Sequence, residues 1–474
     1  MEKERDEQGF MDFAQATGDK ILSMKNPLVV HHYDCDGLSS GSIIALALTS
    51  KGVPFKMKVV KRLAEKEIEE IRAENSGEIV FSDIGSGQIK LVNVLPLETD
   101  IVIIDHHPAP EKPNENIRMC NPHDFGVDGN IELSAGSTAF YCFKHLESRE
   151  ILQLGIVGAV GDLQDYSKTG FIGLNRKMVE WGSEKEFVFV SKDLKFFGRV
   201  TRPLIQFLTY STEPFLPGLS GDEKACALFL RDNDIPVKKG EQWISYTDLN
   251  VFQRKKLIGA LVEYGKSRNL TDEVLEELVG DTYLFLQEPE KSEMRDATEF
   301  STLLNSCGRH DKADLGVAVC LRKPGALEEA EKLLSEHRKM IRFGIAFAQK
   351  NTMDVGPFYF LDARGHIPDV VIGIVAGAFF NSGVVERNKP IIAFSYDETK
   401  QTKISGRASR ALIEKGLDLG EVMRKAGEAA GGLGGGHSIA AGCTIASTRE
   451  AENVFLKKAR QIIEVQLQLL SKVL

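Results

Sequence analysis

Between about residue 20 and residue 190 the chain alternates short, nearly continuous apolar runs with helical patterns, and each run stops at polar residues or glycine. The runs at 28–30, 79–81, 101–104 and 151–160 read as strands, with 40–50 as a helix after the first. That rhythm predicts βαβ units and a parallel sheet. Strands apolar along their whole length are those covered by helices on both faces. Their polar ends then share one edge of the sheet, and open α/β sheets bind ligands outside the carboxyl ends of their strands. Chemistry is therefore sought in the residues that follow each run.

At 474 residues the chain is longer than one hydrophobic core usually organises. Three segments are expected: an α/β catalytic domain over 1–195, a helical connecting module over 196–290 and a second α/β domain over 291–474. Pro203, Pro214, Pro217 and Gly218 punctuate the middle segment, whose helix over 271–279 is expected to stop at Gly280. Strand-like runs return at 317–321, 370–376 and 390–394, followed by the glycine-rich stretch 431–442 and a final amphipathic helix. Ser447 and Glu450 form a capping-box pattern at the start of that helix.

Several classes drop out. The first ten residues are charged where a signal peptide needs an apolar stretch, and the longest apolar run, 370–380, is too short for a bilayer. A cytoplasmic chain without a membrane partner is expected. The seven cysteines are scattered and never in C-x-x-C spacing, which argues against a disulfide framework or structural zinc. A net charge of −9 does not suit coating long nucleic acid, which rests on Lys and Arg neutralising phosphates, but it allows gripping one strand end. Lys195, Arg199 and Arg202 interleave with Phe196 and Phe197, a pattern that could track a strand, although a solvated helix with a buried Phe pair is the stronger reading.

The run ends carry acids and imidazoles. HHYDCDG sets Asp34 and Asp36 two residues apart, on one side if the chain is extended, or as a turn and helix cap before Ser40. Asp83 ends the second run, and Asp105, His106 and His107 end the third before Pro108. Asp162 follows the fourth among small residues. Each alone could be a cap or turn former. Together they offer oxygen and imidazole ligands without thiolate, a set that suits Mn2+ or Mg2+ better than structural zinc. Two such cations clamp a phosphate and activate a water between them, so phosphoester hydrolysis is the expected chemistry.

HxDxDG at 32–37, the lone Asp83, DHH at 105–107 and GD at 161–162 resemble, in order, the four motifs of the DHH phosphoesterases. The resemblance implies Asp34, Asp36, Asp83, His106 and Asp162 as metal ligands with Asp83 bridging, His107 beside the scissile phosphate, and Asp105 orienting an imidazole. It implies two divalent cations, Mn2+ before Mg2+. Some branches carry a histidine ligand where Val30 stands here, so His32 either takes that place or binds no metal. Adjacent strand residues face opposite ways, so His106 and His107 are not expected to share a role. KISGRAS at 403–409 and GGLGGGHSIAAG at 431–442 resemble the DHH-associated domain, which implies Ser405, Arg407, the backbone of Gly435 and Gly436, and His437 as substrate-binding groups.

Segments at 194–204, 210–221, 299–316 and 121–130 are similar to archaeal RecJ-type proteins, so the resemblance spans nearly the whole chain. It implies a metal-dependent exonuclease on single-stranded DNA or RNA, in replication or repair, with a GINS-type replication complex as a possible partner. Two alternatives stand beside it. One is a replication-complex scaffold with a decayed site, and the other a phosphodiesterase of short oligonucleotides.

Overall fold

The computed structural model describes residues 4–74, 76–165, 170–211, 216–268, 270, 272–382 and 384–469. Pro214 and Thr271 lie outside them. The chain divides into two compact units, residues 1–207 with 233–334 and residues 208–232 with 335–474.

The first unit is built on a parallel five-stranded sheet of β1 (Leu28–His32), β2 (Lys56–Val60), β3 (Glu78–Ser82), β4 (Asp100–Ile104) and β5 (Ile117–Cys120), in the order β2-β1-β3-β4-β5. Side chains alternate between its faces, as the two-residue period of a strand requires. Val29, Val80, Val102 and Ile104 enter one core, while Leu28, Val30, Ile79, Phe81, Ile101 and Ile103 enter the other. Both faces are covered, which is why the strands read as apolar throughout. The register pairs His31 with Ser82 and Ser82 with Ile104, so the residues that follow β1, β3 and β4 emerge along one edge.

Three apolar runs expected as strands are helices. Residues 151–160 lie in the helix Arg149–Gly161, 317–320 in the helix Ala313–Cys320, and 370–376 in the helix Asp369–Asn381. A helix buried on nearly every side has no polar face to mark its 3.6-residue period, so its sequence looks like a buried strand. Gly280 does not stop a helix either. The helix ends as Asp272–Glu276, and Gly280 sits inside a strand. The final helix, Arg449–Leu469, is capped by Thr448, whose Oγ1 accepts from Ala451 N, while Ser447 Oγ donates to the Lys400 carbonyl.

The middle segment is not purely helical. After β6 (Phe189–Leu194), which lies just before the segment, it contains a hairpin of β7 (Lys238–Lys239) and β8 (Gln242–Trp243), and β9 (Val279–Leu284), which pairs antiparallel with β6. KFFGRVTR forms turns rather than a helix: Phe196 is buried, Lys195 binds Asp165, and Arg199 pairs with Asp296 in the interior. The expected boundary at 290 also moves. Met294, Phe300, Leu303, Leu304 and Leu334 join the first unit's core, and the division falls within the unbroken helix Ala326–Asn351.

The second unit holds a six-stranded sheet ordered β10-β11-β12-β13-β15-β14, from β10 (Met353–Asp354), β11 (Tyr359–Asp362), β12 (Ile391–Tyr396), β13 (Thr402–Arg407), β14 (Leu433–Gly436) and β15 (Ala440–Ile445). Its β11 and β12 are parallel and joined through the helix Asp369–Asn381; the other pairings are antiparallel. All seven cysteines are buried and unbridged, and no helix among the described residues is long and apolar enough to cross a membrane.

Candidate metal centre

The eight acids and imidazoles singled out in the first half of the chain converge at the carboxyl edge of the parallel sheet. Asp83 follows β3 in the left-handed region, φ 58°, with its N–H bound to the Ile104 carbonyl. Asp tolerates this conformation better than most residues, and such strain gathers at functional sites. Asp83 Oδ2 lies 3.3 Å from His32 Nδ1, and Oδ1 lies 3.4 Å from His106 Nε2. His32 Nδ1 is also 3.0 Å from Asp34 Oδ2, and His106 is 3.8 Å from Asp36 and 3.7 Å from Asp162. Three groups of potential ligand atoms result, each with its atoms within 4.8 Å of one another: His32, Asp34 and Asp83; Asp83, Asp105, His106 and His107; Asp36, His106 and Asp162. Asp83 joins the first two and His106 the last two.

Local structure differs from the extended picture of the first motif. Asp34 caps the helix Cys35–Ser50, accepting from Gly37 N at 3.1 Å, and Asp36 sits in its first turn. Asp36 is buried against the start of another helix, Ala135–Phe143, accepting from Ser134 Oγ at 2.7 Å, Ala135 N at 2.7 Å and Gly136 N at 2.9 Å. A helix amino terminus favours such a carboxylate. A Cβ at Gly158 would stand 2.4 Å from Asp36 Oδ1, so the small residue there is needed for the approach. Asp162 follows a helix rather than a strand, as its C-cap.

His106 and His107 separate as expected. His106 is buried, and its Nδ1 lies 2.7 Å from the Gly129 carbonyl, which can only accept. The proton is thus on Nδ1, and Nε2 is the nitrogen left toward Asp83 and Asp36, the arrangement of a ligating imidazole. The His107 side chain is 53% exposed and its Nδ1 lies 2.8 Å from Asp105 Oδ1. That contact holds the His107 pKa above its usual value.

The charge of the cluster fits divalent cations. Burial, then the neighbouring Asp83 and Asp162, push Asp36 well above the carboxylate range, and burial chiefly raises Asp162 to about 6. Burial pulls His32 down, but Asp34 and Asp83 outweigh it and hold His32 at about 11. Carboxylates that resist one another's ionisation are what a bound cation relieves. The donors are oxygen and imidazole nitrogen, a set for Mn2+ or Mg2+. Val30, where a further imidazole was a possibility, is a core residue of β1.

Other contributors were not visible in the motifs. Gln164 Nε2 donates to the Gly129 carbonyl at 2.9 Å and to Asp162 at 3.1 Å. Asn305 Oδ1, on the helix Ala297–Arg309, accepts from Cys35 N at 3.1 Å. Gly308 packs so closely on the first-motif loop that a Cβ there would be 2.0 Å from the Tyr33 carbonyl. The half-buried Arg309 side chain follows it, with no hydrogen bond or ion pair among the described residues. Burial lowers its pKa, and the charges of Tyr33 and Asp34 oppose that.

The five residues of the glycine-rich region lie in the second unit. Ser405 and Gly435 pair with Gly442 from opposite sides, Arg407 pairs with Ala440, and the His437 N–H bonds the Ala440 carbonyl. They form one corner at the end of β13, β14 and β15. His437 is exposed in the turn, Ser405 is buried, and Arg407 Nη1 donates to the Gly406 carbonyl at 2.8 Å.

Three family descriptions match the chain: DHH family, N-terminal domain, over residues 26–159; DHH-CID domain over 196–279; and DHHA1 domain over 366–465. An uncharacterized protein of Methanocaldococcus jannaschii is 31% identical over 462 residues, covering 96% of this chain and 97% of that one. The structure of CDC45 from Entamoeba histolytica is similar with a TM-score of 0.64 at 13% identity, covering 95% of this chain and 99% of that one. Exonuclease RecJ bound to manganese gives 0.55 at 15% identity, covering 96% and 94%. RecJ from Thermus thermophilus in complex with Mn2+ gives 0.55 at 16% identity, covering 97% of this chain and 55% of that one. At these identities the structural likeness is one of fold.

Proposed function

The chain is a RecJ-like phosphoesterase of the DHH family, and from that premise we propose that it is an exonuclease hydrolysing single-stranded DNA or RNA from one end. The observation that carries the reading is Asp83, whose two oxygens face His32 and His106 and so join two ligand groups through one carboxylate. In this reading Asp34, Asp36, Asp83, His106 and Asp162 hold two divalent cations, Mn2+ before Mg2+, with His32 beside Asp34. When bound, the cations supply Lewis acidity and an activated water.

The chain's own residues do the rest. Asp105 fixes the His107 ring, which is exposed enough to meet a phosphate and give a proton to the leaving oxygen. Arg309 holds a phosphate oxygen near Asp34, which a half-buried guanidinium without a carboxylate in hydrogen-bond reach among the described residues is suited to do. The corner of Ser405, Arg407, Gly435, Gly436 and His437 holds the strand's end.

A scaffold with a decayed site would have lost donors, and this centre lacks none of those its motifs call for. An enzyme that also joins a GINS-type replication complex combines the two roles. Exposed Trp243, Val251 and Phe252 in the DHH-CID segment support a docking role there. Single strands of DNA and RNA labelled at either end, incubated with Mn2+, Mg2+ or chelator, test the reading. Stepwise shortening from one end with Mn2+ and none with chelator is expected. Intact strands with every divalent cation would overturn it.

A further inference from the structure

The second unit contains a cleft of about 410 Å³ that the proposed chemistry does not use, lined by Phe347, Asn351, Asp362, Arg364, His366 and Tyr396. Asp362 and Tyr396 are the last residues of the parallel strands β11 and β12. The cleft therefore sits at the carboxyl ends of a βαβ unit, where open α/β sheets bind ligands. It is distinct from the corner of Arg407 and His437. Arg407 pairs with Ile391 at the start of β12, and Tyr396 ends that strand. Five residue steps, roughly 16 Å of strand, separate the two.

The walls of the cleft are flat groups. Phe347 stacks on His366 with centroids 4.7 Å apart and planes inclined by 28°. Phe343, one turn earlier on the same helix, is 55% exposed and extends the aromatic surface. The Arg364 guanidinium is locked by Asp362, with Nε to Oδ1 at 2.8 Å and Nη2 to Oδ2 at 2.6 Å, and by Glu452. In that position it lies 5.8 Å from the Tyr396 ring centre.

Charge selects what can enter. Two carboxylates face one guanidinium, and the carboxyl end of the helix Ala326–Asn351 adds its negative dipole. A phosphate is disfavoured inside, whereas a flat uncharged ring can stack on the aromatic groups that line it. Asn351 donates Nδ2 to the Phe347 carbonyl, and its Oδ1, without a hydrogen bond among the described residues, can accept from an exocyclic amino group. Exposed Lys350 lies beside it in the helix, where it can meet the backbone that carries such a ring.

We propose that this cleft is a stacking subsite for one unpaired nucleobase of the single strand, an assignment that rests on the reading of the chain as a single-strand exonuclease. The test uses the full chain in chelator, with a single strand carrying 2-aminopurine as the stacking probe and a remote dye reporting overall binding by anisotropy. The wild type should quench 2-aminopurine fluorescence as the strand binds. Tyr396→Ala should weaken the quenching interaction roughly tenfold, the effect of removing one base–aromatic stack. Tyr396→Trp should restore it, and all three proteins should hydrolyse a small chromogenic phosphodiester equally with Mn2+. Equal quenching by the wild type and Tyr396→Ala, with the strand bound in both, would overturn the subsite alone. Quenching of free 2-aminopurine riboside but not of the bound strand would assign the cleft to a free nucleoside instead. Failure of the wild type to bind the strand by anisotropy would overturn the exonuclease reading and the subsite with it.

Discussion

Asp105 holds His107 at two points: its Oδ1 lies 2.8 Å from the imidazole Nδ1 and 3.2 Å from the His107 N–H. The same oxygen accepts from His106 N at 2.8 Å, and Oδ2 accepts from Ser86 N at 2.9 Å. Every partner of this buried carboxylate is a donor. Asp105→Asn sets an amide N–H against one of them and frees the ring to turn. Turnover should fall roughly ten- to a hundredfold, as for other groups that orient a reacting imidazole, while bound Mn2+ stays unchanged. Unchanged turnover in a folded variant would remove the orienting role.

Arg309 should act on the substrate and not on the metals. Loss of a charge-assisted contact to phosphate, about 1.5–3 kcal/mol, predicts a KM raised roughly ten- to a hundredfold in Arg309→Ala. Metal titration should match the wild type. Steady-state kinetics check this, and a fall in kcat at constant KM would move Arg309 away from ground-state binding.

Glu299 predicts a pH dependence of stability. Burial, then repulsion from Asp296, raise its pKa from 4.5 to about 7, and it accepts from Val200 N at 2.8 Å. The folded state holds this proton more tightly than the unfolded chain does. The contribution to stability is therefore full below pH 4.5 and lost as pH rises through 7. Glu299→Gln keeps an acceptor for Val200 and removes the ionisation. Its melting temperature should match the wild type near pH 4 and exceed it at pH 8, and a constant difference across that range would contradict the assignment.

His437 lies in the turn between β14 and β15 beside the partners of Arg407. His437→Ala should weaken degradation of single strands roughly ten- to a hundredfold, the value of one charge-assisted contact, and spare a small chromogenic phosphodiester. Equal loss on both substrates at an unchanged melting temperature would place His437 in the chemistry.

Much of the centre was legible because the apolar runs of β1, β3 and β4 stop abruptly at polar residues, so position marked His32, Asp83, Asp105 and His106 as neighbours. The helix Arg149–Gly161 was not legible as a helix, since its buried residues carry no polar face. It nevertheless delivers Asp162 to the expected edge. Asn305 and Arg309 stood some 270 residues from the first motif, and a lone polar residue at that distance carries no spacing to read. The division between the units was hidden because the helix Ala326–Asn351 runs through it without glycine or proline near residue 334. Backbone donors such as Ala135 N and Gly136 N have no side-chain signature at all.

The central claim is that Asp83 joins two metal sites. Asn is the suitable replacement, since it tolerates the left-handed backbone at this position. Mn2+ titration followed by electron paramagnetic resonance, with hydrolysis of a labelled single strand measured on the same samples, tests the claim most directly. The wild type should bind two Mn2+ per chain with a spin-coupled spectrum, and Asp83→Asn should lose the coupling and lose turnover by orders of magnitude at an unchanged melting temperature. A single uncoupled Mn2+ in the active wild type, or near-normal hydrolysis by Asp83→Asn, would contradict it.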